Sequence, residues 1–216
     1  MLDNAFKGYH TCLFAYGQTG SGKSYSIVGY DRNIGIIPMV CADLFRRIDE
    51  ADTTKLEHKV SISMLEIYNE QVQDLFCDIK KRPQGGLKVR EHKTEGVYVE
   101  NLTEVPVKDY EELAQYIEMG TAMRTIGATN MNATSSRAHT VTKITLYTKE
   151  FVKKGKVANM KKSIINLVDL AGSERARTTG SSAARLKEGS NINKSLSFLG
   201  KVINILAAKA EGKREV

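Results

Sequence analysis

The sequence predicts an α/β fold, a central sheet with helices against it and functional loops at the strand ends. Two observations predict it. Short apolar runs of strand length alternate along the chain with segments whose apolar residues recur at helical spacing. One such run, "HTCLFAY" at 10–16, breaks directly into the glycine-rich "GQTGSGKS".

Each element has its own signal. "HTCLFAY" reads as a buried strand. In "GIIPMVCADLFRRIDEAD" (35–52), Pro38 stands near a helix start and Val40, Leu44, Phe45 and Ile48 follow at helical spacing. "KVSISMLEIY" (59–68) passes from alternation to a continuous apolar run and predicts a strand. "CDIKKRPQGG" (77–86) combines charge, proline and paired glycines, which predicts a loop. "LKVREH" and "GVYVENL" predict short strands around a turn. Tyr110, Leu113, Tyr116, Ile117 and Met123 predict a helix within 108–127. "HTVTKITLYTKEF" (139–151) sets Val141, Ile144, Leu146 and Phe151 among polar residues and predicts a long strand. "KKSIINLVDLAG" (161–172) is an apolar strand ending in acid and glycine, and 187–209 is helical.

The chain has 216 residues, 41% of them hydrophobic and 26% charged, a size and composition that allow one domain with a substantial core. No apolar run approaches the ~20 residues that span a bilayer, and no charged-then-apolar leader opens the chain. Cys12, Cys41 and Cys77 are odd in number, widely spaced and without a CxxC pair. That pattern predicts reduced thiols in an intracellular protein, with neither a cysteine metal site nor a disulfide framework. Net charge is +7. It reads either as a solvated basic surface or as the footprint of an acidic polymer, and charge alone does not choose.

Gly17, Gly22, Lys23 and Ser24 match G-x-x-x-x-G-K-[S/T]. The chemistry explains the spacing. Glycines let the loop through Gln18, Thr19, Gly20 and Ser21 curl so that successive N–H groups face an anion. Lys23 then reaches the β- and γ-phosphates, and the Ser24 hydroxyl suits Mg²⁺, which takes oxygen donors. The plain alternative is a glycine-rich turn. About one chain in a hundred of this length matches by chance, so a nucleoside triphosphate is the working ligand. Such a site needs a second acid near the metal and a γ-phosphate sensor. In "INLVDLAGSER" (165–175), Asp169 ends an apolar strand where a carboxylate would hold the Mg²⁺ shell through water. Gly172 follows with an N–H to offer the γ-phosphate. "NMNATSSRAH" (130–139) sets adjacent hydroxyls before an arginine; alone it reads as a polar loop.

"GQTGSGKS", "NATSSRAH" and "DLAGSER", in that order, together with "EIYNE" and "LKEGSNINKSL", resemble the kinesin motor domain from end to end of the chain. "LKVREH…GVYVENLTEV" and "GKSYS" are most similar to the kinesin-3 class. The resemblance implies a three-layer P-loop NTPase fold with a mixed, largely parallel central sheet flanked by helices. It implies that residues 1–216 are a partial motor domain, from the P-loop strand through the relay helix, truncated at both ends. It also implies ATP and Mg²⁺ as ligands, and no guanine-specifying NKxD is found. Tyr25 stands where the family sets a ring against adenine. Asn132, Ser135, Ser136 and Arg137 fall on switch I, Ser136 at the metal and Ser135 at the attacking water. Asp169, Gly172 and Glu174 fall on switch II, and Arg137 pairs with Glu174 over the γ-phosphate. One departure stands inside a motif: Ala138 replaces the family's usual serine, which removes one hydroxyl from switch I. His139 reads as a structural histidine at a strand start.

Ile192, Leu196, Leu199, Ile203 and Leu206 form one apolar helix face, while Lys187, Lys194 and Lys201 step by seven along a second stripe. By pattern alone the lysines are a solvated face. The resemblance makes this the relay helix with its outer face on tubulin, and Arg175, Arg177 and Arg185 add positive charge before it. The implied partner is therefore the microtubule, in the cytoplasmic cytoskeleton. Nucleic acid is disfavoured because no reading helix or stacking aromatics are found, and this segment gives no membrane contact. Two functions of different class follow. One is a microtubule-stimulated ATPase that moves along or releases microtubules; the other is a non-catalytic nucleotide- or tubulin-binding fragment.

Overall fold

The structure is a computed structural model that describes residues 1–30, 32–94, 96–130, 135–152, 156–174 and 183–212, without the side chains of 127–130, 135 and 183–188. In chain order its elements are α1 (Leu2–Phe6), β1 (Thr11–Ala15), α2 (Lys23–Ile27), β2 (Gly29–Tyr30), β3 (Asn33–Ile34), α3 (Ile36–Asp49), β4 (Leu56–Tyr68), β5 (Gln71–Asp74), β6 (Val89–His92), β7 (Gly96–Val99), β8 (Val105–Val107), α4 (Tyr110–Asn130), β9 (His139–Val152), β10 (Lys156–Asp169) and α5 (Ala183–Ala210). None of the described helices is long and apolar enough to cross a membrane.

The central sheet runs β1-β10-β9-β4-β5, with β8 also on β4. Its core face follows from register. Ile62, Ile144 and Ile165 stand opposite one another on β4, β9 and β10, and each is 0% exposed. Val60, Leu146 and Leu167 extend the face, against which α3 sets Ile37, Cys41, Leu44 and Phe45 and α4 sets Leu113 and Ile117. Each such side chain contributes about 1.5–3 kcal/mol by leaving water. Pro38 is the third residue of α3, where the backbone N–H has no partner within the helix, so the ring fits. Alternation puts His139 on the opposite face, where its ring meets Ser195 of α5. The sheet thus lies between two helical layers.

The sheet is mixed, as the resemblance implies, but the expectation of a largely parallel sheet is corrected. Only the β1–β10 ladder is parallel among the described pairings of this sheet; β10–β9, β9–β4, β4–β5 and β4–β8 are antiparallel. The reason is connection length. β4 and β5 are joined through Asn69 and Glu70, both at positive φ (49° and 65°), and so short a turn joins only antiparallel strands. β9 and β10 are likewise close in sequence, whereas β1 and β10 are distant. The sequence reading does not include α1, β2, β3, β5 or β8. β5 is a strand because its residues pair with the second half of β4, and β8 carries Pro106 at a flanking position of the sheet.

Candidate nucleotide site

The parallel β1–β10 ladder brings the two chemically richest loops together. Ala15, the last residue of β1, stands opposite Asp169, the last of β10, so both loops leave the same sheet edge. Backbone bonds then tie them: Leu170 N–H donates to Ala15 O (3.3 Å) and Ser173 N–H to Gly17 O (3.1 Å). Gly20 and Gly22 hold φ of 79° and 87°, the left-handed region that glycine enters without penalty. An added Cβ at either meets nothing within 4 Å, so backbone conformation and not space calls for glycine there. Lys23 Nζ donates to Gly17 O and Gln18 O, each at 2.9 Å, which holds the lysine across the mouth of its own loop.

Ser24 Oγ donates to Asp169 Oδ2 at 2.5 Å. Asp169 is 3% exposed, and its Oδ1 has no hydrogen-bond partner among the described residues. Arg124, reaching in from α4, sets Nη1 3.2 Å from Asp169 Oδ2 and Nε 3.5 Å from Glu66 Oε1. Burial pushes the Glu66 carboxyl above its ordinary range, against the pull of Arg124 and Arg82. Arg124 and Glu66 are residues that the sequence reading missed. Arg124 lies in no quoted motif and Glu66, the first residue of "EIYNE", has no role assigned by it; only the packing of α4 on the sheet brings them to Asp169.

Switch I and switch II meet through their backbones. Ser135–Arg137 form a turn of 3-10 helix, and Ser136 O accepts from Gly172 N–H at 2.7 Å. The N–H that the sequence reading offers to a γ-phosphate is thus bound to switch I in this state. Arg137 and Glu174, expected as an ion pair, are not paired with each other among the described contacts. Glu174 instead accepts from Thr19 N–H (2.8 Å) and from Thr19 Oγ1. Burial works against its charge, yet the Thr19 bonds, helped by Lys23, hold its carboxyl below the ordinary glutamate range. Ala138 is 2% exposed, so the hydroxyl it lacks leaves no buried polar group in need of a partner. Asn132 lies outside the described residues, as does the side chain of Ser135.

Tyr25 is 48% exposed and stacks on Tyr30, ring centroids 6.2 Å apart, a flat aromatic surface beside the loop. Among the lysines of α5, Lys194 lies 3.9 Å from Glu70 of the β4–β5 turn and Lys201 sits 5.5 Å over the Phe198 ring. The side chains of Lys187 and Arg185, and residues Arg175 and Arg177, lie outside the described set. On the apolar face of α5, Ile192, Leu196 and Leu199 are half-buried, while Ile203 and Leu206 are exposed. The three cysteines are free thiols, and burial pushes that of Cys41 up to about 12.

Comparison with known proteins agrees with this geometry. The family described as the kinesin motor domain matches residues 1–215. Kinesin-related protein 1 of Dictyostelium discoideum is 48% identical over 219 residues, which cover 100% of this chain and 10% of that protein. Kinesin-like protein unc-104 of Caenorhabditis elegans is 47% identical over 218 residues, covering 100% of this chain and 14% of its own length. The chain thus spans between a tenth and a seventh of these two relatives. A solved structure of a KIF14 dimer, AMP-PNP-bound in complex with a microtubule, superposes with a TM-score of 0.86 at 45% identity, over 100% of this chain and 60% of that one. With the family matched from residue 1 to residue 215 and nearly half of its residues shared with such motors, the chain belongs to the kinesin motor-domain family.

Proposed function

We propose that residues 1–216 act as the nucleotide-hydrolysing core of a microtubule motor, binding ATP and coupling its hydrolysis to movement along, or release from, microtubules. The observation that carries this reading is the paired exit of the P-loop and switch II from β1 and β10, with Ser24 and Asp169 joined at 2.5 Å beneath the loop. The relatives support it: similar solved structures are of KIF14 with AMP-PNP and with ADP, each in complex with a microtubule. Its place is accordingly the microtubule cytoskeleton of the cytoplasm.

On this reading the loop amides of residues 17–22 bind the phosphates and Lys23 leaves the carbonyls of Gly17 and Gln18 to meet them. Tyr25 offers its ring to the base. Glu174, released from Thr19 as the anion occupies the loop, pairs with Arg137, and Ser135 orients the attacking water. Gly172 N–H exchanges Ser136 O for the γ-phosphate. The donor set fits Mg²⁺, since Ser24 Oγ meets Asp169 and Asp169 Oδ1 is buried without a hydrogen-bond partner among the described residues. Ser24 and Ser136, with Asp169 through water, would hold the ion, which when bound neutralises charge on the phosphate oxygens. Lys187, Lys194 and Lys201 present positive charge to the acidic lattice.

A second reading has an observation of its own. Glu174 on Thr19 and Gly172 on Ser136 leave the hydrolytic groups apart, which favours a fragment that binds without turnover. Steady-state ATP hydrolysis with and without polymerised tubulin separates the two, with Lys23→Ala as control. The motor core predicts stimulated hydrolysis that the control abolishes. Absence of stimulation in a folded protein that still binds nucleotide or tubulin refutes it in favour of the fragment.

A further inference from the structure

Three successive backbone amides of switch II run to three different parts of the molecule. Ser173 N–H goes to Gly17 O of the P-loop and Gly172 N–H to Ser136 O of switch I. Ala171 N–H goes to Nδ1 of His139 at 3.1 Å. The other ring nitrogen, Nε2, lies 2.8 Å from Ser195 Oγ on α5, and Ser195 Oγ donates to Ile192 O at 2.7 Å. These contacts admit one proton arrangement. Nδ1 accepts, so the neutral ring carries its proton on Nε2, and that N–H donates to Ser195, whose own proton is directed to Ile192. His139 is 7% exposed and Ala171 0%, so the Ala171 bond is shielded from bulk water, while the bond to the half-buried Ser195 is partly shielded. Burial, opposed by the charge of Asp169, holds the ring's pKa below the ordinary histidine value and keeps it in this neutral form.

We propose that His139 is a positioning residue that joins the switch II backbone to α5, so that displacement of the Ala171–Gly172 peptide is passed to the helix. This rests on the proposed function above. A γ-phosphate that takes Gly172 N–H from Ser136 must move its peptide unit, and the neighbouring Ala171 N–H is drawn with it because only the φ and ψ of the fully buried Ala171 separate the two planes. The ring follows its Nδ1 bond, and Ser195 follows the ring. The other described side-chain ties of α5, Asn191 to Asn69 at 2.7 Å and Lys194 to Glu70 at 3.9 Å, run to the β4–β5 turn. They anchor the helix to the sheet without touching the nucleotide loops. The link through His139 therefore transmits, while the other two hold. In return, a partner that shifts α5 biases switch II by the same free energy.

The test uses the 216-residue chain with Ser195→Ala, Ser195→Thr, His139→Asn and the Ser195→Ala/His139→Asn double variant. Asparagine keeps an oxygen near Nδ1 for Ala171 N–H but does not reach Ser195. ATP hydrolysis is measured with and without polymerised tubulin, and ¹⁵N spectra of labelled histidine are recorded with ADP and with AMP-PNP. Ser195→Ala and His139→Asn should leave basal hydrolysis within about twofold and lower the tubulin-stimulated rate about fivefold, the factor one net hydrogen bond accounts for. Ser195→Thr should restore stimulation, and the double variant should be no worse than either single. Unchanged stimulation in Ser195→Ala, no rescue by threonine, or additive losses overturn the proposal. Should His139→Asn fail to fold, the two serine variants carry the test. Should the wild type show no stimulation, the functional reading fails, and the His139 resonances decide. A difference between ADP and AMP-PNP that Ser195→Ala removes supports the link, and identical spectra overturn it.

Discussion

Arg124→Met isolates what the buried charge cluster contributes. The variant keeps an apolar stem of similar reach and removes the guanidinium that sits between Asp169 and Glu66, at 3.2 and 3.5 Å. All three side chains are shielded, at 10%, 14% and 4% exposure for Arg124, Glu66 and Asp169. Breaking a buried pair from one side costs about 3–5 kcal/mol, because a carboxylate is left uncompensated. A cap follows from titration. Glu66 escapes the penalty by taking a proton, and protonating an ordinary glutamate at pH 7 costs ~3.7 kcal/mol, falling to ~1 kcal/mol at pH 5. We therefore expect a loss of about 3–4 kcal/mol at pH 7, which for a chain of this size lowers the Tm by roughly 6–16 °C. The sign is fixed by linkage. Without Arg124 the folded pKa of Glu66 rises further above its unfolded value, so stability is retained below the unfolded pKa and lost as pH rises through the folded one. Differential scanning calorimetry at pH 5 and pH 7 should show the gap to wild type widening with pH, and adding Glu66→Gln should recover at least ~1 kcal/mol at pH 7. A gap equal at both pH values, with no recovery from Glu66→Gln, would refute the electrostatic account.

Three further outcomes are expected. A Cβ at Gly172 collides with both carboxylate oxygens of Glu174 and with Thr19 Oγ1, so Gly172→Ala must evict Glu174 from its seat without disturbing the core. Hydrolysis should fall about a hundredfold while nucleotide binding, followed by fluorescence of a labelled analogue, is kept; retained hydrolysis would contradict this. Cys41, with its thiol pushed up to about 12 and buried, should resist iodoacetamide in the native protein while Cys12 and Cys77 react. Mass spectrometry after labelling with and without denaturant checks it, and native modification of Cys41 would be inconsistent with its packing. Finally, the depressed pKa of His139 means that the unfolded chain takes the proton first. The stability tied to its neutral ring is present above an ordinary histidine pKa of ~6.5 and lost as pH falls below it. The Tm difference between wild type and His139→Asn should therefore shrink from pH 7.5 to pH 5.5, and a constant difference would count against the neutral bridge.

Much of the fold was readable from local pattern. The helices α3, α4 and α5 and the strands β1, β4, β9 and β10 follow from apolar spacing that each segment carries within itself. Shorter elements were not readable. β5 has one buried apolar residue, Val72, and becomes a strand only by pairing with β4 across a two-residue turn. In the site, "GQTGSGKS" and "DLAGSER" named the residues that β1 and β10 bring to one edge. They did not name Arg124, or Glu66, which opens "EIYNE" but meets Arg124 only through packing, nor the partner that Glu174 holds. In sequence His139 shows only as a histidine at a strand start, because its two partners, Ala171 and Ser195, are 32 and 56 residues away.

The family, the glycine-rich candidate loop and the order of the switch motifs are legible in the sequence, because those depend on residue types at fixed spacing along the chain. The tertiary structure alone decided which way the strands run, which charges share the interior, and which amide of switch II is tied to which element. Those depend on register and packing between segments far apart in sequence, where a shift of one residue turns a side chain to the other face.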